Sequence, residues 1–114
     1  MHYKHSGKAL YIQLEGEIDH HTTKGLKEKI ARAFEPTDCR QMIFDLSRVT
    51  FMDSSGIGMI IGRYKNAQER GGTVAITGMN PGIERIFQIS GLAKIINSYA
   101  SVEDAEKALG ESVQ

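Results

Sequence analysis

The chain has 114 residues, 40% hydrophobic and 25% charged, with fourteen basic side chains balanced by fourteen acidic ones. Such a length buries a core without disulfide or metal staples, and the composition excludes a disordered or collagen-like chain. Zero formal net charge removes any overall field that would draw the chain to nucleic acid or to an anionic membrane.

The N-terminal MHYKHSGKAL lacks the apolar stretch of a signal peptide, although His2 to His5 leaves room for an edge strand. Leu10, Ile12 and Leu14 alternate with Tyr11 and Gln13, the pattern of a half-buried strand. EGEIDHHTT interrupts that alternation. Leu26, Ile30, Ala33 and Phe34 then fall at i, i+4, i+7 and i+8, one face of a helix that Asp19, Thr22 or Thr23 could cap and that ends before Pro36 and Asp38. Met42 to Leu46 is nearly continuous in apolar residues, as in a central strand covered on both faces. A second helix pattern starts at about Ser55, carries Ile57, Ile60, Ile61, Tyr64 and Ala67 on one stripe, and stops at Gly71-Gly72.

Thr73 to Thr77 reads as another buried strand, and Pro81 suits the first turn of a third helix with Ile83, Ile86 and Phe87 inward. That helix ends at Ser90-Gly91. Ile95-Ile96 forms a weak last strand, and Ser101 to Asp104 resembles a capping box opening a helix with Ala105, Ala108 and Leu109. Strands alternating with helices predict an α/β fold, a single domain over residues 1–114 with a largely parallel sheet. The lone cysteine, Cys39, lacks a partner for an internal disulfide and any spacing suited to zinc, and no apolar run approaches the ~18 residues of a membrane span. These features predict a cytoplasmic protein without membrane or nucleic-acid partners.

The stretch FMDSSGIG, Phe51 to Gly58, lies where a buried strand and a short loop give way to a helix. In open α/β sheets that edge is where ligands bind. It lacks the GxxxxGK[ST] of a phosphate-cradling loop and the GxSxG of a nucleophile elbow. A small serine hydrolase would need His20 or His21 brought to Ser54 or Ser55. A serine at a helix start can instead cap the helix, or accept a phosphoryl group that the amide donors and helix dipole stabilise by ~0.3–1 kcal/mol. Asp19-His20-His21 hints at a metal, but adjacent side chains diverge in direction and the other histidines, His2 and His5, sit at the chain start. Gly58 and Gly62, four apart, allow close approach either to the sheet beneath or to a partner, core packing being the simpler reading.

GEIDHHT, FMDSSGIG, the following GRYK and the late FQISGLAKII together resemble the anti-sigma factor antagonists, small bacterial members of the STAS-domain family. The match runs in order from Leu10 to Leu109, whereas MHYKHSGKA is poorly matched; GEIDHH beside FMDSSG resembles the sporulation branch more than the general-stress branch. The resemblance implies a four- to five-stranded mixed sheet with four helices. It implies a monomeric regulator, not an enzyme, with no catalytic residue, metal or cofactor of its own. In its unphosphorylated form it would bind an anti-sigma factor that is a serine kinase with bound nucleotide, and so release the sigma factor. The kinase would phosphorylate the serine that follows the loop aspartate, here Ser54 after Asp53, and a serine phosphatase would reverse this. Ser55 would cap or position the loop. The implied partner surface is Asp19, His20, Asp53, Ser54, Ser55, Gly56, Ile57, Gly58 and Ile61.

Overall fold

The computed structural model describes residues 1–110, so residues 111–114 of the expected 1–114 domain lie outside the described residues. In chain order it contains β1 (His2–Ser6), β2 (Ala9–Ile18), α1 (Thr23–Phe34), β3 (Gln41–Met52), α2 (Ser54–Glu69), β4 (Val74–Thr77), α3 (Pro81–Ile89), a 3-10 turn (Leu92–Lys94), β5 (Asn97–Tyr99) and α4 (Val102–Leu109). The strands form one five-stranded sheet in the order β1-β2-β3-β4-β5, with β1 antiparallel to β2 and all other neighbours parallel. This is the mixed, largely parallel α/β sheet with four helices that the sequence predicts, with its N-terminal edge strand in place.

The sequential strand order dictates the layers. Each crossover from β2 to β5 steps one strand in the same direction, so right-handed connections place their helices on one face. Leu10, Ile12 and Leu14 of β2, Met42, Phe44 and Leu46 of β3, and Ile76 of β4 meet Ile30, Ile60 and Phe87 there in one apolar cluster. Helix α4 follows the last strand and is no crossover. It folds back on the opposite face, where Ala105 packs with Ala9, Ile43 and Ala75.

Two strands are longer than their apolar runs. β2 and β3 stay paired past Gln13↔Asp45 to Ile18↔Met52, through register shifts at Gln13/Glu15 and Gly16/Glu17. β1 reaches only Gln13, and β4 stops opposite Asp45. The extension leaves Glu15, Glu17, Arg48, Thr50 and Phe51 exposed, and its mostly polar outward residues read as a break. Gly16, at φ +77°, carries the irregular backbone that a side chain would resist. No loop separates β3 from the Asp53 segment, contrary to expectation.

The last strand is also displaced. The amides of Ile95 and Ile96 both donate to the carbonyl of Leu92, at 3.1 and 3.0 Å, which closes a turn and withdraws them from the sheet. Pairing with β4 begins only at Ala75↔Asn97. The other ends follow their capping chemistry. Asn80 Oδ1 accepts from the Ile83 amide at 2.9 Å just ahead of Pro81, and Ser101 Oγ accepts from the Asp104 amide at 3.1 Å.

Arg70, after α2, clamps the sheet's other end. Its Nη1 donates to the carbonyls of Phe34, Thr37 and Cys39 at 3.2, 3.0 and 2.8 Å, and its guanidinium lies 4.0 Å over the Phe34 ring. These bonds tie the residue that follows α2 to the whole α1–β3 turn, from Phe34 to Cys39.

On the α4 face a polar knot replaces apolar packing. Asp45, only 8% exposed, accepts from the Tyr11 hydroxyl at 2.6 Å, the Ser47 amide at 3.0 Å and Gln13 Nε2 at 3.4 Å. Desolvation pushes the Asp45 carboxyl up, but the bonds from Tyr11, Ser47 and Gln13 outweigh it and hold the group below its ordinary value. Burial first, then the bond and charge of Asp45, push the Tyr11 phenol up to about 12. Removing the hydroxyl in Tyr11→Phe is expected to cost about 1.5–3 kcal/mol at neutral pH, measured by denaturant unfolding. Because folded Asp45 titrates below an unfolded carboxyl, its stabilisation is complete above pH ~4 and is lost as pH falls below that. The gap between variant and parent should therefore narrow in acid; a gap that stayed constant would show that the bond draws nothing from the carboxylate charge.

Candidate functional site

Strand pairing assembles the site. Ile18 and Met52 are register partners at the carboxyl ends of β2 and β3, and the Asp53 amide donates to the Ile18 carbonyl at 3.2 Å. The residues that follow, Asp19 and Asp53, therefore emerge side by side on the rim where parallel sheets present ligand sites.

Asp53 is the cap of α2. Its backbone is extended (φ −108°, ψ −170°) and its Oδ1 accepts from the Ser55 amide at 2.8 Å. This corrects the assignment of the cap to Ser55 or Ser54. A carboxylate two residues before an amide reaches it without strain, and Ser54 becomes the first helical residue, exposed to solvent. Ser55, next along, is half-buried.

Gly56 is buried beneath this turn, where an added Cβ would lie 2.5 Å from Met52 Cγ and 3.0 Å from Ile18 Cγ2. Its hydrogen is what lets the helix begin directly above both strand ends. Ile57 is also largely buried, at 6% exposure. Gly58 is exposed, and neither Gly58 nor Gly62 would bring an added Cβ within 4 Å of a neighbour. Core packing, the simpler reading of that glycine pair, is therefore wrong. Ile61 is half-buried against the core.

Asp19 organises its own turn. Its Oδ1 accepts from the amides of His21 and Thr22 at 2.9 and 3.1 Å, while its amide donates to Thr22 Oγ1 at 2.9 Å. Desolvation pushes the carboxyl up, but the bonds from Thr22 and His21 prevail and keep it below the ordinary carboxylate range. A charged carboxylate is thus held at a set place. Thr22 is the residue before α1 but offers that helix no side-chain cap. His20 is exposed, its ring edge-on to His21 at 5.4 Å, and no hydrogen bond joins it to Ser54 or Ser55 among the described residues. No three metal-ligating side chains converge among the described residues either.

The structure adds a wall that sequence reasoning assigned no functional part. A groove between the start of α2 and the end of α3 is lined by Asp53, Ser54, Ile57, Ile86, Ile89 and Ser90. Ile89 is 75% exposed. An isoleucine three positions after the inward Ile86, yet off the Ile83–Phe87 stripe, was the available signal.

A family model described as the STAS domain matches residues 1–105 of the chain. The anti-sigma F factor antagonist of Paenibacillus polymyxa is 38% identical over 96 residues, 84% of this chain and 82% of that protein. The anti-sigma-B factor antagonist of Bacillus subtilis is 31% identical over 101 residues, 88% of this chain and 90% of that one. The anti-sigma factor antagonist SpoIIAA in its unphosphorylated form superposes with a TM-score of 0.81 at 27% identity, covering 96% of each chain. The phosphorylated form of the Bacillus SpoIIAA gives 0.72 at 27% identity over 94% of this chain and 97% of that one.

The two neighbouring glycines make opposite predictions. Gly56→Ala should lower stability by about 1–2 kcal/mol, overpacking against Met52 and Ile18 exceeding the gain in helix propensity. Gly58→Ala, facing open space, should raise stability by about 0.5–1 kcal/mol. Denaturant unfolding of both variants decides it, and equal shifts would refute the close approach at Gly56.

Proposed function

The chain belongs to the STAS-domain family, and we propose that it is an anti-sigma factor antagonist switched by phosphorylation of Ser54. The observation that carries this reading is an exposed hydroxyl at the first residue of a 16-residue helix, beside the two rim carboxylates Asp19 and Asp53. A hydroxyl so placed can be modified without opening the core, because Asp53, not Ser54, caps the helix.

In its unphosphorylated form the protein docks on an anti-sigma factor that is a serine kinase with bound nucleotide, and the sigma factor is released. The docking surface is Asp19, His20, Asp53, Ser54, Ser55, Gly58 and Ile61, with Gly56 and Ile57 supporting it from beneath. The kinase transfers the γ-phosphoryl group of ATP to Ser54 Oγ, the hydroxyl proton leaving to a base of the kinase and ADP remaining. A serine phosphatase hydrolyses the ester and resets the protein. It acts as a monomer in the cytoplasm and is itself no enzyme. The sporulation circuit is favoured by the higher identity to the anti-sigma F factor antagonist, 38% against 31% for the anti-sigma-B antagonist. Binding to purified anti-sigma F and anti-sigma-B factors separates the two circuits.

The switch is electrostatic. Phosphorylation adds about −1.5 to −2 charges at a place where Asp19 and Asp53 already present carboxylates. Burying such a charge without a partner costs about 2–5 kcal/mol, roughly 30- to several-thousand-fold in affinity. Within the antagonist the helix dipole offsets about 0.3–2 kcal/mol, too little to rearrange a packed core. SpoIIAA shares this chain's fold in both phosphorylation states, which supports a switch that leaves the fold in place.

Incubation with the anti-sigma kinase and ATP should add one phosphate by intact mass, mapped by peptide sequencing to Ser54, with amide shifts confined to the neighbourhoods of Asp53 to Ile61 and Asp19 to Thr22. Phosphate on Ser55, or displacements through the sheet, would overturn the assignment or the mechanism respectively. Separately, Asp19→Asn keeps the oxygen that accepts the His21 and Thr22 amides but loses the charge. It should weaken kinase binding while leaving the thermal midpoint nearly unchanged, and equal affinity would remove Asp19 from the interface.

A further inference from the structure

We propose that the groove between α2 and α3 seats an apolar side chain of the anti-sigma factor, with Ile89 as its anchor. This rests on the reading of Ser54 as the residue the kinase must reach. The groove is lined by Ile57, Ile86 and Ile89 together with Asp53, Ser54 and Ser90, and is open to solvent with a volume of about 300 Å³. That size suits a side chain or two and lies at the lower limit for a small-molecule pocket.

Scattered exposed apolar residues such as Tyr3 and Ile95 need no explanation, being isolated from this groove. Ile89 differs because its backbone is held. Ser90 Oγ donates to the Phe87 carbonyl at 2.9 Å and accepts from the Leu92 amide at 3.2 Å, and Gly91 turns the chain at φ +80°. The side chain is thereby projected from a fixed helix end, opposite the start of α2. A protein that delivers a phosphoryl group to Ser54 covers Ser54, and Ser54 is itself a wall of the groove. Whatever docks there closes the groove in the same encounter.

The occupant is aliphatic or aromatic and not charged. Asp53 is the one charged residue among the walls, and its Oδ1 already accepts from the Ser55 amide. A phosphate on Ser54 would stand at the mouth of this apolar groove. An entering apolar side chain would strip its water and return no hydrogen bond. The groove thus strengthens the block that charge repulsion begins.

The test is calorimetric titration of the full chain against whichever of the purified anti-sigma F and anti-sigma-B factors the parent protein binds. Ile89→Asp should unfold at the parental temperature and lose about ten- to a hundredfold in affinity, the range set by burial of one aliphatic side chain. Ile89→Leu should restore binding, and Tyr3→Ser, on the far edge strand, should leave it unchanged. Affinity of Ile89→Asp within about twofold of the parent, the usual scatter of a surface change, would overturn the groove proposal while leaving the antagonist reading intact. Failure of the parent to bind either anti-sigma factor would overturn both.

Discussion

Helix α2 can begin directly over the ends of two strands because a hydrogen is all that Gly56 places against Met52 and Ile18. Everything on the functional rim follows from that approach. β3 passes into the helix with no loop, so Asp53 is forced into the extended capping position and Ser54 is turned outward. Pairing of β2 with β3, which sets Ile18 opposite Met52, places Asp19 beside Asp53. Two carboxylates and a serine thus come together through backbone pairing and one missing side chain, without any bond among the three.

The rest of the molecule is a frame that keeps this rim still. Three crossover helices share one face of the sheet because the strand order never reverses, and they bury most of the large apolar residues. Among the described residues, α4 alone covers the opposite face. A smaller apolar patch beneath that helix gives way to the Tyr11–Asp45 knot, whose carboxylate stays charged at low exposure because three donors replace its water. Arg70 ties the end of α2 to the α1–β3 turn at the other end of the sheet. A packed frame of this kind suits the local switch proposed above.

The rim also joins two kinds of surface that rarely serve the same purpose. On one side lie the carboxylates of Asp19 and Asp53, which in the proposed docking steer the partner and set its orientation. On the other lies an aliphatic groove between α2 and α3, proposed above to contribute affinity through dehydration. Ser54 stands at their boundary. In the proposed switch a dianion there disturbs both, repelling charge on one side and holding water against an apolar surface on the other.

Much of this was legible in the sequence because periodicity and capping are local. Alternation marked β2, the i, i+4 stripes marked α1 to α3, and Pro81 and Ser101 marked helix starts, each within a few residues of its place. The DSSG and Asp-His-His segments stood out through their resemblance to the anti-sigma factor antagonists, since capping alone accounts for hydroxyls and carboxylates at a helix start. Tertiary structure alone decided the rest. The polar halves of β2 and β3 are strands because each completes the other's backbone hydrogen bonds, and hydropathy does not record pairing. Gly56 and Gly58, two residues apart on one helix, take opposite roles because only packing distinguishes the face over Met52 from the face toward solvent. The groove wall at Ile89 lies more than thirty residues along the chain from Ser54, brought there by the crossover through β4. Sequence specifies which residues can do chemistry; the order of strands in the sheet decides which of them meet.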